Sequence, residues 1–127
     1  MSPTLVFDAG ALIAIERRAP RMQALVQQAR ARNVSFIIPT AVVAQVVRTG
    51  GRQANLRRFL ADPALRFDEL SYPTALRIGA LLGESGTTDV VDAAVVACAR
   101  SMNRCPVATS DPGDLAKLDA ELPLIVI

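Results

Sequence analysis

Asp8 closes the apolar run Thr4-Leu5-Val6-Phe7, Asp89 and Asp92 open an apolar stretch that continues to Met102, and Asp111 follows Pro106-Val107-Ala108-Thr109. A carboxylate at the end of an apolar strand is poorly placed for solvation, which singles out Asp8. Asp89 and Asp92, like Asp111 and Asp114, are three apart, a spacing that puts each pair on one side of a helical turn. Each pair also has a structural reading. Acids at the start of a helix favour its dipole and can cap it, and Asp111-Pro112-Gly113-Asp114 has the form of an N-cap followed by proline at the first helical position.

The rest of the composition narrows the chemistry. The 127 residues include no histidine, so histidine-based nucleophilic machinery and Cys/His zinc sites are excluded. Any catalysis must come from carboxylates, hydroxyls, lysine or a metal ion. Cys98 and Cys105 are too few for a disulfide scaffold and read as buried thiols. Charge is uneven: ten Lys/Arg face three acids through Arg66, a net +7, and four face nine from Phe67 onward, a net −5. Thirteen of the fourteen cations are arginine, whose planar fork suits phosphate, so the basic half favours a polyanion. Solvated arginines on helix surfaces are the plain alternative.

The elements that must position these residues follow from periodicity. Thr4–Phe7 reads as a strand, Ala9–Glu16 as a short helix, and Arg21–Arg32 as an amphipathic helix with Met22, Leu25, Val26 and Ala29 on one side. Val34–Ile38 is a second strand. A helix from Ala41 to Arg48 is expected to stop at Gly50-Gly51, and Gln53–Leu60 forms another, closed by Asp62-Pro63. Leu65–Leu70 alternates as a third, edge strand. Pro73–Leu82 is helical, Glu84–Thr88 a loop, and Asp89–Met102 a strongly apolar helix. Pro106–Thr109, a helix from Pro112 to about Asp119, and the strand Leu122–Ile127 complete the chain.

Strands separated by helices require crossovers, so the expected class is α/β: one domain over residues 1–127, with a parallel sheet of about five strands between two helical layers. At 51% hydrophobic and 20% charged, the chain has material for a compact core. No apolar run approaches a membrane span, and Met1-Ser2-Pro3-Thr4 lacks a basic region followed by an apolar one, so a cytoplasmic protein without membrane contact is expected. In open parallel sheets, ligands bind beyond the carboxyl ends of the strands. Asp8, Asp92 and Asp111 should all reach that edge. Crowded carboxylates repel unless protonated or bridged by a cation, and an oxygen-only cluster suits Mg²⁺ or Mn²⁺ rather than zinc.

Four segments in order then carry a resemblance. Leu5-Val6-Phe7-Asp8 with Ala11-Leu12-Ile13, Ile37 to Val46, Asp89 to Ala97, and Val107 to Leu115 together resemble PIN-domain ribonucleases. The small size is similar to the VapC toxins of bacterial toxin–antitoxin pairs. The resemblance covers essentially the whole chain and implies a metal-dependent endoribonuclease that hydrolyses RNA phosphodiesters. Asp8, Asp92 and Asp111 match the family's first, third and fourth acidic positions and would hold Mg²⁺ or Mn²⁺. The second position, usually glutamate, is Gln45 here, whose neutral amide removes one negative charge. The family often has Ser, Thr or Asn after the first acid, where this chain has Ala9-Gly10. Asp89 and Asp114 are expected in capping or supporting roles. Arg17, Arg18, Arg48 and Arg52, with Arg57 and Arg58, are candidates to hold the RNA backbone, and a single tyrosine, Tyr72, leaves little for base stacking. A VapB-type antitoxin and a homodimer built on apolar helix faces are implied by the resemblance alone.

Two rival readings use the same residues. A receiver-like phosphoacceptor wants adjacent acids after the first strand, an acceptor Asp after the third, and a lysine near the last; Asp8 stands alone and Lys117 is the only lysine. A PIN-like module that has lost catalysis and only binds RNA or a partner is suggested by Gln45.

Overall fold

A computed structural model describes residues 3–127. The described residues alternate strand and helix as β1 (Thr4–Phe7), α1 (Ala9–Glu16), α2 (Pro20–Ala31), β2 (Ser35–Pro39), α3 (Thr40–Val46), α4 (Ala54–Leu60), β3 (Arg66–Asp68), α5 (Tyr72–Ser85), α6 (Val90–Ser101), β4 (Val107–Thr109), α7 (Pro112–Leu118) and β5 (Leu124–Val126). All strand pairs are parallel, in the order β3-β2-β1-β4-β5. Helical layers cover both faces: α1 packs on α2, α3 and α4, while α6 packs on α3, α5 and α7. This is the three-layer α/β/α arrangement expected.

The order reverses at β1. The chain first winds outward through β2 to β3, then returns to place β4 on the other side of β1. Val6 pairs with Ile37 on one flank and with Val107 on the other. Such a reversal opens a crevice between the carboxyl ends of the two central strands, because their connections leave in opposite directions. Asp8 lies directly after β1, and Asp111 follows β4 by two residues.

The core explains why these elements hold still. Phe7, Phe36 and Phe59 cluster with ring centroids 4.9, 5.7 and 6.1 Å apart, joining β1 and β2 to α4. Every residue of α6 from Ala93 to Ala99 is buried. That segment is apolar around its whole circumference, as a helix enclosed on all sides must be. Cys98 and Cys105 are both buried free thiols, as expected. No helix among the described residues is long and apolar enough to cross a membrane.

Four boundaries depart from expectation, and the simplest is the third strand, confined to Arg66–Asp68 within the expected Leu65–Leu70. Helix α3 ends at Val46, before Gly50-Gly51, and those glycines lead into a 3-10 turn over Gly51–Gln53. Side chains supply the stop: Arg48 Nη1 donates to the carbonyls of Ala44 and Val47, and Gln53 Nε2 donates to that of Val46. The carbonyls at the helix end are satisfied before the glycines are reached. Glu84 and Ser85 belong to α5 rather than to a loop, because the left-handed residue that ends the helix is Gly86, at φ 69°. The last strand is confined to Leu124–Val126, with Pro123 immediately before it.

Candidate metal-binding active site

Asp8 is held by the junction it occupies. Its N–H donates to Ala108 O at 3.3 Å, continuing the β1–β4 ladder, and its Oδ1 accepts the Ala11 N–H at 2.9 Å, capping α1. Capping at Asp8 has no counterpart in the sequence reading. The residue is 6% exposed. Burial pushes its pKa up; hydrogen bonds from the Thr109 hydroxyl and the Ala11 and Gly10 amides oppose the rise, while the charge of Asp111 adds to it.

The other acids sort by whether a cap claims them. Asp89 accepts the Asp92 N–H at 2.9 Å and is the side-chain cap of α6. Asp92 is thereby left free in the first turn, partly buried. Asp111 occupies the N-cap position of α7, yet its side chain makes no cap hydrogen bond. Its own N–H instead donates to Thr109 Oγ1 at 2.9 Å. Asp114 lies 3.6 Å from Lys117 in an exposed ion pair.

Asp92 registers the crowding most strongly. Its pKa is pushed up to about 6, first by burial and then by the charges of Asp89, Asp114, Asp8 and Asp111. Five aspartates from β1, α6 and the β4–α7 turn therefore share one electrostatic neighbourhood. Among the described residues, no three Asp, Glu or Cys side chains close into a ready-made ion-holding group. The bonds already made account for part of that: Asp8 and Asp89 each commit an oxygen to a cap, and Asp114 is paired. The donor chemistry fits a hard dication, since carboxylate and hydroxyl oxygens supply the site and no sulfur or imidazole reaches it.

Gln45 is exposed on α3 and lines a cleft of about 290 Å³ with Ala9, Ile13, Glu16, Arg17 and Arg48. Ala9, the residue that follows Asp8, lines the same cleft. Arg17 and Arg48 share this cleft. Arg18 and Arg58 do not: they line a separate groove between α2 and α4, where Arg18 Nη2 donates to Asn55 Oδ1 at 2.8 Å. Arg52 is exposed on the 3-10 turn and lines neither depression. Two site residues escaped the sequence reading. Thr109, fully buried, accepts the Asp111 N–H and helps to hold down the pKa of Asp8, and its only signal was a hydroxyl residue ending a strand two positions before an acid. Ser110 packs against Gly10, a contact for which local sequence gives no signal.

Five parallel strands in the order β3-β2-β1-β4-β5 between two helical layers give a three-layer α/β/α fold of PIN-like form, with aspartates just beyond the carboxyl ends of its central strands. No protein-family model matches the sequence, and no curated protein matches it. Solved structures do match in fold. VapBC2 from Rickettsia felis, bound to a DNA fragment from its promoter, aligns with a TM-score of 0.75 and 17% identity over 98% of each chain. A toxin–antitoxin complex from Klebsiella pneumoniae aligns at TM-score 0.70 and 20% identity over 96% of each. FitAcB from Neisseria gonorrhoeae aligns at 0.66 and 17%, covering 95% of this chain and 96% of that one. These neighbours are VapC- and FitB-type PIN-domain toxins, and at such identities the likeness is one of fold.

Proposed function

We propose that the protein is a metal-dependent endoribonuclease acting as the toxin of a VapBC-type pair. The observation that carries this reading is the set of four aspartates around Asp92 at the reversal point of the sheet, whose charges add to its burial in pushing its pKa up to about 6. Such clustering of like charge is costly to a fold and characteristic of functional sites. Asp8, Asp92 and Asp111 would hold Mg²⁺ or Mn²⁺, with Thr109 orienting Asp8. When bound, the ion supplies Lewis acidity toward a phosphoryl oxygen and toward attacking water. In the ion-free protein Asp92 is protonated below about pH 6, and binding of the cation would displace that proton. Arg17 and Arg48 would grip the backbone of the RNA along the cleft that leads from Ala9, with the Gln45 amide as a neutral hydrogen-bonding group between them.

The fold neighbours, solved as toxin–antitoxin complexes, support a cognate antitoxin as partner. A homodimer is supported by the exposed side chains of Phe67, Leu70, Tyr72 and Leu76, which lie on β3, on α5 and on the segment between them. The cytoplasm is the expected compartment.

The test is cleavage of RNA by ion-stripped protein with and without Mn²⁺. Activity should require the cation and vanish in Asp8→Ala and Asp92→Ala while circular dichroism stays that of the folded chain. Cleavage unchanged in verified metal-free wild type would overturn the reading. Gln45 favours a second reading, a PIN-like module that binds without cleaving. That reading expects Mn²⁺ and RNA to bind with no turnover.

A further inference from the structure

Gly10 stands in the first turn of α1, where glycine is a poor helix residue, and its φ is not positive, so backbone conformation does not demand it. Space does. A Cβ built there collides with Ser110 Oγ and lies 3.0 Å from Ser110 Cβ and 3.3 Å from Ser110 N. Among the described glycines it is the one with no room: Gly51, Gly79, Gly83 and Gly113 would accept a methyl without collision, and Gly50 and Gly86 serve positive-φ positions.

The contact joins the two segments that carry the central acids. On one side Gly10 stands two residues after Asp8, which caps the same helix; on the other, Ser110 lies between Thr109, whose hydroxyl accepts the Asp111 N–H, and Asp111 itself. We propose that Gly10 and Ser110 are a matched spacer, the serine side chain filling the volume a side chain at position 10 would take, so that together they set the separation of Asp8 and Asp111. Ser110 is then a positioning residue for the two carboxylates. This inference rests on the metal-site reading for its consequence, but not for the steric pairing itself.

A methyl at position 10 cannot be absorbed by rotating Ser110 alone. Rotation removes Oγ, yet Cβ and the backbone nitrogen remain too close, so α1 and the β4–α7 turn must part by a few tenths of an ångström. Full-length wild type, Gly10→Ala, Ser110→Gly, and Gly10→Ala combined with Ser110→Ala or with Ser110→Gly are to be compared. Two quantities are read: the Mn²⁺ concentration giving half-maximal thermal stabilisation, and the urea midpoint. Gly10→Ala should raise the Mn²⁺ requirement about tenfold, the scale at which displaced supporting groups act on metal affinity. Adding Ser110→Ala should recover part of it and Ser110→Gly most of it. Independent effects of the two positions, or a Gly10→Ala protein within about twofold of wild type in both quantities, would overturn the proposal. A single variant that fails to fold while its Ser110→Gly partner folds counts as the same recovery. Were wild type to show no Mn²⁺ response, the metal reading would fall, and coupling in the urea midpoints alone would decide the spacer.

Discussion

The carboxyl of Asp92 titrates at about 6 because folding buries it and surrounds it with four other aspartates. An acid whose folded pKa lies above its unfolded value of 3.8 favours the folded state when protonated. Its stabilising effect is present at pH 4 and is lost as the pH rises through 6. The ion-free protein should therefore be more stable at pH 5 than at pH 7.5. The full shift would correspond to ~3 kcal/mol, of which a little under half falls between these two pH values, and solvent screening of a partly exposed group reduces that share to about 0.5–1 kcal/mol. Burial of Asp8 acts in the same direction. Asp119 opposes neither: burial raises it, but hydrogen bonds from Arg100 and the Glu121 amide and the charges of Arg100 and Arg104 win and lower it. Its contribution is lost only below the ordinary carboxylate range. Asp92→Asn should flatten the profile and make the ion-free protein more stable at pH 7.5. Urea titrations at the two pH values check this, and a wild type that is less stable at pH 5 would refute it. Gln45→Glu restores a charge beside Ala9 and should tighten Mn²⁺ binding by roughly several-fold, read by calorimetry; equal or weaker affinity would show that the α3 side of the cleft does not reach the ion.

At the scale of elements, the difference between a cap and a free acid decides what each substitution does. Asp89→Ala removes the side-chain cap of α6 and should cost about 1 kcal/mol. Asp111→Ala removes a carboxylate that caps nothing and should cost only a few tenths of a kcal/mol while abolishing function. Thr109→Val strands the Asp111 N–H and deprives Asp8 of a donor, with an expected loss of ~1–3 kcal/mol at a fully buried position. Chemical denaturation of the three variants should preserve that order. Sequence alone placed Asp8, Asp92 and Asp111 because each is fixed by its distance from the end of its own strand or helix, a local property that periodicity reveals. Spacing alone allowed either Asp89 or Asp111 to cap its helix; the resemblance assigned Asp89 to a capping or supporting role and Asp111 to the ion, and the structure makes Asp89 the cap. The early end of α3 was hidden because Gln53, seven residues beyond Val46, folds back to satisfy its carbonyl. Thr109 and the Gly10–Ser110 contact belong to no single element. They exist only once β1 and β4, separated by most of the chain, lie side by side.

Across the whole molecule, the basic and acidic halves of the sequence meet where α1 leaves β1. Composition named Arg17, Arg18, Arg48 and Arg52 together, but helix packing divides them: α1 and α3 bring Arg17 and Arg48 into the cleft that begins at Ala9, while Arg18 turns toward Asn55 in the α2–α4 groove. Arg17 stands eight residue steps beyond Ala9, roughly 12 Å of helix axis, a span of about two nucleotides of extended backbone. In the proposed complex, RNA seated at the aspartates would reach Arg17 and Arg48 along this cleft, whereas Arg18 lines the α2–α4 groove. Binding of uncleaved RNA to an Asp8→Asn background isolates this effect from turnover. Arg17→Ala and Arg48→Ala should each weaken binding and lower the salt dependence by about one phosphate contact, whereas Arg18→Ala and Arg52→Ala should leave the salt slope near its starting value. Arg48 also braces the end of α3 through the Ala44 and Val47 carbonyls, so Arg48→Lys provides the control: it keeps the charge and loses the fork. A slope that falls equally for all four arginines would mean that the polyanion sees a diffuse basic surface, and that the cleft beside Gln45 does not direct it.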